Sequence, residues 1–266
     1  MIAVLSDIHG NIHALDAVLA DIPKEVTNIL ILGDMVGGLA TNCEVLDRLM
    51  NLSTPMTAIL GNWEERFLAD KKCQNREWRN STKFATLAWT SDSLQARHWA
   101  FLEQLNSTLA FDQIIKGAFL FHAKPQDSNN GILTMENARQ ATMYRDEKWL
   151  LCGHTHQAKL FRVGEQRVVT VGSVGLSMDG IGGTACYVLI DEDKVTFKHV
   201  SYDIEATIAD LKNSTLPSYA PGFSRANVLA VTYGENYVVA LFDFVQAYGG
   251  TWEEGEQAWL ASVEDK

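Results

Sequence analysis

Cysteine is scarce: four residues in 266, at positions 43, 73, 152 and 186. They are scattered and form no C-x-x-C pair, which weighs against a cysteine-clamped zinc site and fits a reduced, cytoplasmic setting. Positive charge is also short, with 22 Lys and Arg against 33 Asp and Glu and a net charge of -11. A nucleic-acid polymer needs a basic face, so it is not an expected partner. The local exception is Lys71, Lys72, Arg76 and Arg79, which read first as a solvated helix face or loop and second as a patch drawing in an anionic substrate. No apolar run approaches bilayer length, so no membrane span is expected. No basic segment, long apolar stretch or cleavage site precedes the strand-like Ile2-Ala3-Val4-Leu5, so no signal peptide is expected either. Internal repeats and low-complexity stretches are absent. What remains is an ordinary globular composition, 47% hydrophobic and 21% charged, long enough for a sizeable core.

Short apolar runs recur, and several end alike. Ile2 to Leu5 runs into Ser6-Asp7-Ile8-His9, and Ile29 to Leu32 into Gly33-Asp34. Residues 56–60 run into Gly61-Asn62, 118–121 into His122, and 150–152 into Gly153-His154-Thr155-His156. Such runs read as strands buried on both faces of sheets covered by helices. Residues 11–20, 42–50 and 134–143 have helical periodicity. Residues 81–105 read as two helices broken at 90–93, and 108–121 as a hairpin turning at Lys116-Gly117. Late strands are expected over 168–171, 184–190 and 195–200. Alternation of strand and helix gives an α/β class. After about residue 203 the pattern turns helical: 204–211, a loop over 217–222, one long helix over 226–248, and a last helix over 252–263. The division is therefore a domain over 1–203 and a C-terminal helical extension over 204–266 packed on it.

In open α/β sheets, ligands bind beyond the carboxyl ends of strands. Asp7, His9, Asp34, Asn62, His122, His154 and His156 all stand at such ends. Taken singly, Asp-x-His arises by chance and Gly-Asp or Gly-Asn marks a turn. The information lies in the joint pattern of strand ends, each carrying a ligand type. Carboxylate, amide and imidazole donors without thiolate suit Mn, Fe, Zn, Co or Ni. Seven side chains exceed what one tetrahedral ion uses, so two divalent metal ions are the natural expectation, clamping a phosphoryl group.

These blocks, Asp7-Ile8-His9-Gly10-Asn11, Gly33-Asp34, Gly61-Asn62, His122 and Gly153-His154-Thr155-His156, resemble those of the calcineurin-like metallophosphoesterases. Val171-Gly172-Ser173-Val174-Gly175 is similar to a stretch of the bacterial and archaeal phosphodiesterase branch. The resemblance covers the chain to about Tyr202. It implies a four-layer fold, a two-sheet β-sandwich flanked by α-helices. It implies one metal on Asp7, His9 and His156, a second on Asn62, His122 and His154, and Asp34 bridging them, with manganese favoured. It also implies hydrolysis of a phosphodiester, phosphoanhydride or phosphomonoester by a bridging hydroxide.

The family's usual Gly-Asn-His block reads Gly61-Asn62-Trp63 here. That His helps stabilise the transition state and protonates the leaving oxygen, whereas indole cannot take or give up a proton in catalysis. Glu64 matches the acidic residue that would orient the missing His. Trp63 could stack on a nucleobase or fill space beside the cleft. His13, in the first turn after the first block, is a candidate substitute donor, with an exposed helix histidine the plainer reading. His98, His199 and Cys152 read as structural. The loss at position 63 leaves a second function open: a metal-bound, weakly catalytic module that binds a nucleotide or a partner. The aromatic tail, Tyr233, Phe242, Trp252 and Trp259 among it, fits either packing or a homo-oligomer contact.

Overall fold

In the computed structural model, which describes residues 1–73, 81–112, 114–125, 127, 130–143 and 145–266, two five-stranded sheets pack face to face. The first has the order β10-β9-β1-β2-β3, formed by β1 (Ile2–Leu5), β2 (Asn28–Ile31), β3 (Met56–Ala58), β9 (Thr184–Asp191) and β10 (Lys194–Ser201). The second has the order β4-β5-β6-β8-β7, formed by β4 (Thr108–Ala110), β5 (Ala118–Phe121), β6 (Trp149–Cys152), β7 (Ala158–Val163) and β8 (Gln166–Val171). Both sheets are mixed: β1, β2 and β3 are parallel, as are β5, β6 and β8, whereas β9 pairs antiparallel with β1 and β10, β4 with β5, and β7 with β8. The two-sheet sandwich flanked by helices is the architecture the resemblance implied.

The alternation of side chains along a strand explains the layers. Val4, Leu30, Val188 and Ile190 meet Leu120, Leu151, Val169 and Val171 between the sheets. The opposite faces of the same strands are also apolar. Ala3, Leu5, Ile29 and Ile31 pack under α1 (Ile12–Asp21) and α2 (Asn42–Met50), and Phe121, Leu150 and Val168 under α6 (Met135–Thr142). Strands covered on both faces have no polar alternation, hence the short unbroken apolar runs of the sequence.

The remaining helices are α3 (Asn62–Cys73), α4 (Ala85–Ser93), α5 (Ala96–Leu102), α7 (Ile204–Asn213), α8 (Leu216–Tyr219), α9 (Pro221–Tyr233), α10 (Tyr237–Tyr248) and α11 (Trp252–Ser262). Helices α7 to α11 share a core of their own, including Leu229, Leu241 and Trp259, which Leu39 and Leu176 of the sandwich join. Phe223, Phe242 and Trp252 stack in series inside it, so these tail aromatics are packing residues. Trp63 touches both this core and the one beneath α1 and α2.

Several local expectations are corrected. Residues 217–222 are not a loop: α8 occupies part of them, and Pro221 opens α9, where its missing N–H is not needed. The single helix over 226–248 is two. Gly234 takes a left-handed conformation (φ 71°) that ends α9, and the Asn236 side chain then accepts the Val239 N–H to start α10. The break in 81–105 lies at Leu94 and Gln95, both extended, rather than at 90–93. No strand is expected from the sequence over β7, and Lys71 and Lys72, read as a helix face or loop, lie in the last turn of α3. Lys71 pairs with Glu103 at 2.6 Å and so braces α3 against the end of α5; Arg76 and Arg79 lie outside the described residues. No described helix is long and apolar enough to cross a membrane.

Gly234 is the hinge of the tail, and a Cβ there would lie 2.5 Å from the Ile181 nitrogen. Gly234→Ala should therefore destabilise the protein by more than about 1 kcal/mol. An unchanged Tm in calorimetry would contradict this.

Candidate metal centre

Each of the expected ligand positions lies at one rim of the sandwich. Asp7 and His9 follow β1, Asp34 follows β2, His122 follows β5, and His154 and His156 follow β6. Asn62 is the first residue of α3 rather than a strand end. Two triads of ligand atoms form, each with all atoms within 4.8 Å of one another: Asp7, His9 and His156, and Asp7, Asp34 and His122. Asn62 Oδ1 joins the second, at 3.1 Å from His122 Nε2 and 3.0 Å from His154 Nδ1.

Backbone conformation sets this convergence. Asp7, His9, Asp34, His154 and His156 all have φ between 50° and 68°. The left-handed region is uncommon for residues with a Cβ, and each such residue costs about 1–3 kcal/mol. Among the described residues, only Glu192 shares it outside this rim. The strands thus end in tight turns that aim successive side chains inward. Two glycines allow the turns to touch: a Cβ on Gly61 would strike the Asp34 carboxylate, and one on Gly153 would strike Ser6 and Asp7.

The imidazoles are oriented from behind. His9 Nδ1 faces the Gly37 carbonyl at 2.8 Å, His122 Nδ1 the Leu32 carbonyl at 2.7 Å, and His156 Nδ1 the Leu176 carbonyl at 2.7 Å. A carbonyl only accepts, so each Nδ1 carries a proton; in its neutral form each ring turns an Nε2 lone pair inward, and a bound cation would compete there with a proton. There those lone pairs meet other acceptors. His9 Nε2 and His156 Nε2 are 3.1 Å apart. Asp7 Oδ1, fully buried and without a hydrogen-bond partner, has His156, His9 and His122 Nε2 at 3.2, 3.7 and 3.8 Å. Asp34 Oδ2 lies 3.3 Å from His122 Nε2 and 3.7 Å from His9 Nε2. Converging lone pairs around an orphaned carboxylate oxygen fit a divalent cation.

The charges respond accordingly. Burial alone would raise both carboxyls, but facing His156 and His122 hold Asp7 well below the usual range, and His122 lowers Asp34. Burial opposes protonation of His122, yet the Asp34 and Asp7 charges push it up to about 10; Asp7 likewise raises His156. His154 is lowered by burial and then by His122.

Glu64 has a role the sequence did not show. It is fully buried, and its carboxylate accepts N–H bonds from Asp34 and Gly61 on one oxygen and from Met35 and Val36 on the other, at 2.8–3.1 Å. It therefore clamps the turn bearing Asp34 to the turn bearing Asn62. Burial and the Asp34 charge push it up to about 7, against the pull of those N–H groups. Trp63 sets its ring edge-on to His9, with centroids 5.8 Å apart, and gives its backbone N–H to Asp34 Oδ1. His13 is not brought to the cluster: its Nε2 is 2.8 Å from Asp210 of α7.

A cavity of about 230 Å³ opens over the ligands. One wall carries His9, Asp34, Asn62, His154 and His156, with Trp63 beside them; the other comes from the C-terminal helices, through Phe223, Asn227 and Val238. No sequence signal marked these tail residues, because their periodicity reports only helix packing.

The sequence profile of the calcineurin-like phosphoesterase superfamily domain matches residues 1–194. The chain belongs to that superfamily. An uncharacterised protein of Methanocaldococcus jannaschii is 28% identical over 240 residues, 82% of this chain and 95% of the relative. The crystal structure of a metallophosphoesterase from Sphaerobacter thermophilus superposes with a TM-score of 0.72 at 24% identity, over 88% of this chain and 98% of that one. A hypothetical protein from Pyrococcus horikoshii gives 0.71 at 23% identity, over 88% and 99%. At such identities these two structures speak for the fold. This phosphoesterase family is metal-dependent, and the rim triads are its candidate ligand groups here.

Two outcomes follow for this family member. Glu64→Gln leaves two buried N–H groups facing an amide NH2, which should cost about 2–6 kcal/mol and lower metal content by elemental analysis. Wild-type stability in that variant would contradict the clamp. Removing metal with a chelator should lower Tm, by the equivalent of about 2.7 kcal/mol for one ion at a hundredfold its Kd, and readdition should restore it.

Proposed function

We propose that this chain is a metal-dependent phosphoesterase acting on a small phosphorylated substrate at a two-metal rim site. The observation that carries the reading is the orphaned, buried Asp7 Oδ1 ringed by three imidazole Nε2 atoms. In this reading Asp7, His9 and His156 hold one divalent ion, Asn62, His122 and His154 hold the other, and Asp34 bridges. Manganese is favoured, with Fe, Zn, Ni and Co as alternatives. Asp7 Oδ1 faces both groups, so it contributes charge to each. Bound there, two cations would acidify water and neutralise charge on phosphoryl oxygens.

The residues of the chain account for the rest. His9, His122 and His156 stay fixed by their carbonyl partners, so little reorganisation accompanies substrate binding. Trp63 lines the cavity beside His9 and has no proton to give a leaving group. Every titratable side chain lining the cavity among the described residues, His9, Asp34, His154 and His156, is also a candidate ligand. Departure of a poor leaving group therefore lacks a dedicated acid, worth about 100- to 10,000-fold. Aryl esters and phosphoanhydrides need it least. The apolar wall from α9 and α10 suits the organic part of an ester, a nucleoside among the options. The second reading, a weakly catalytic binding module, rests on the same indole.

Manganese-loaded protein should hydrolyse bis-p-nitrophenyl phosphate or p-nitrophenyl phosphate, and Asp34→Asn should abolish it. No turnover in metal-replete protein would favour the binding module. Trp63→His should raise turnover of an alkyl phosphoester selectively over an aryl one. Equal effects on both would remove the leaving-group argument.

A further inference from the structure

Next to the rim, at the same end of the sandwich, a second group of ligand-type side chains converges. Asp179, Cys186 and His199 bring a carboxylate oxygen, a thiol sulfur and a ring nitrogen within 4.8 Å of one another. Cys186 on β9 and His199 on β10 are direct cross-strand partners, so the pleat puts both on one face. Asp179 comes from the loop joining β8 to β9.

The surroundings hold each member in place. Asp179 Oδ1 accepts the Ala158 N–H at 3.0 Å, which turns Oδ2 toward His199 Nε2 at 3.1 Å. The Cys186 N–H is tied to the Ser173 carbonyl at 2.8 Å. Gly172 makes room for the sulfur: with φ at 79°, a Cβ there would sit 2.8 Å from Sγ. Cys186 is fully buried, whereas the His199 side chain is 34% exposed and leaves one approach open to solvent.

We propose that Asp179, Cys186 and His199 form a second metal site, a three-ligand zinc-type site whose fourth position is open to water. One sulfur, one imidazole and one carboxylate select a borderline-soft ion such as Zn2+ over the hard ions. Tetrahedral bonds of 2.0–2.3 Å place ligand atoms about 3.3–3.7 Å apart. The spacing here, from 3.1 Å up to at most 4.8 Å, brackets that range, so rotamer adjustments close it. Burial and the Asp179 charge hold the proton on Cys186, so binding forms a metal–sulfur bond by displacing that proton to water; His199 gives its Nε2 lone pair as the tautomer protonated at Nδ1, and the Asp179 carboxylate exchanges its hydrogen bond from that ring for the metal.

The site is coupled to the rim through one loop. The Met178 N–H bonds the His156 carbonyl at 3.0 Å, and the Leu176 carbonyl receives His156 Nδ1–H. Asp179 follows directly, so an ion on it anchors the segment that orients His156. The role is positional; the assignment does not depend on hydrolysis at the rim.

The test is cobalt titration of the full-length, chelator-treated protein. The rim ligands offer only oxygen and nitrogen, so a sulfur-to-cobalt charge-transfer band in the near ultraviolet reports Cys186. The band should appear with Co2+, be displaced by Zn2+, vanish in Cys186→Ser and weaken in His199→Ala. No band at saturating cobalt, or one that survives Cys186→Ser, would overturn the site and leave a hydrogen-bonded triad closing the strand pair. Should Cys186→Ser fail to fold, His199→Ala decides, since that side chain is solvent-exposed: a sulfur-to-cobalt band that forms there at the wild-type cobalt concentration and intensity would overturn the site equally.

Discussion

Asp7 and Asp34 are buried side by side at the rim, and their negative charge is the constraint on which the surrounding structure depends. A buried, unpaired carboxylate costs several kcal/mol. Here the facing imidazoles answer it: carbonyls at Gly37, Leu32 and Leu176 fix the rings through Nδ1, and the carboxylates raise His122 and His156, so Nε2 meets them with a proton or, when neutral, as a ligand to a shared cation. The donor set is of the kind that suits a cation between its members. Five left-handed residues add about 5–15 kcal/mol of conformational cost in sum, comparable with the net stability of a domain. Structural zinc sites reach about 10–16 kcal/mol, so ion binding is of the right size to offset it. Ordinary packing supplies the rest: both sheets are covered on both faces.

Glu64 shows how such strain is distributed. Its carboxylate takes four backbone N–H groups from two turns, so the positions of Asp34 and Asn62 are fixed by one buried side chain. In the family block it follows a histidine, and the expectation was that it would orient that ring. With Trp63 in the ring's place, Glu64 still has its work, because its partners are backbone atoms that any residue at position 63 would leave unchanged. This explains how the preceding position could change without loss of the ligand frame.

Trp63 also joins the two parts of the molecule. It lies edge-on to His9 on one side and against Phe223 of α9 on the other, with ring centroids 6.4 Å apart. Asn227 of α9 donates to the Gly38 carbonyl at 2.7 Å, next to the carbonyl that orients His9. Through these contacts the C-terminal helices form one wall of the cleft.

The side chains that gather at the rim were legible in the sequence because strands buried on both faces leave an unbroken apolar run, and a polar residue closing each run stands out. The α/β class and most helices were legible through periodicity for the same reason. Helix breaks were less so: Gly234 interrupts an apolar stretch whose period hardly changes, and Pro221 reads as a loop residue until its place in a first turn is known. The grouping of Asp179, Cys186 and His199 could not be read at all, since cysteine spacing carries no signal when strand pairing and a distant loop make the contact. Sequence by itself determined which side chains end the strands, and so the chemistry available at the rim. Tertiary structure alone decided which lone pairs face one another, that Glu64 clamps two turns, and that the tail walls the cleft, because those depend on backbone φ, register and packing between segments far apart in the chain.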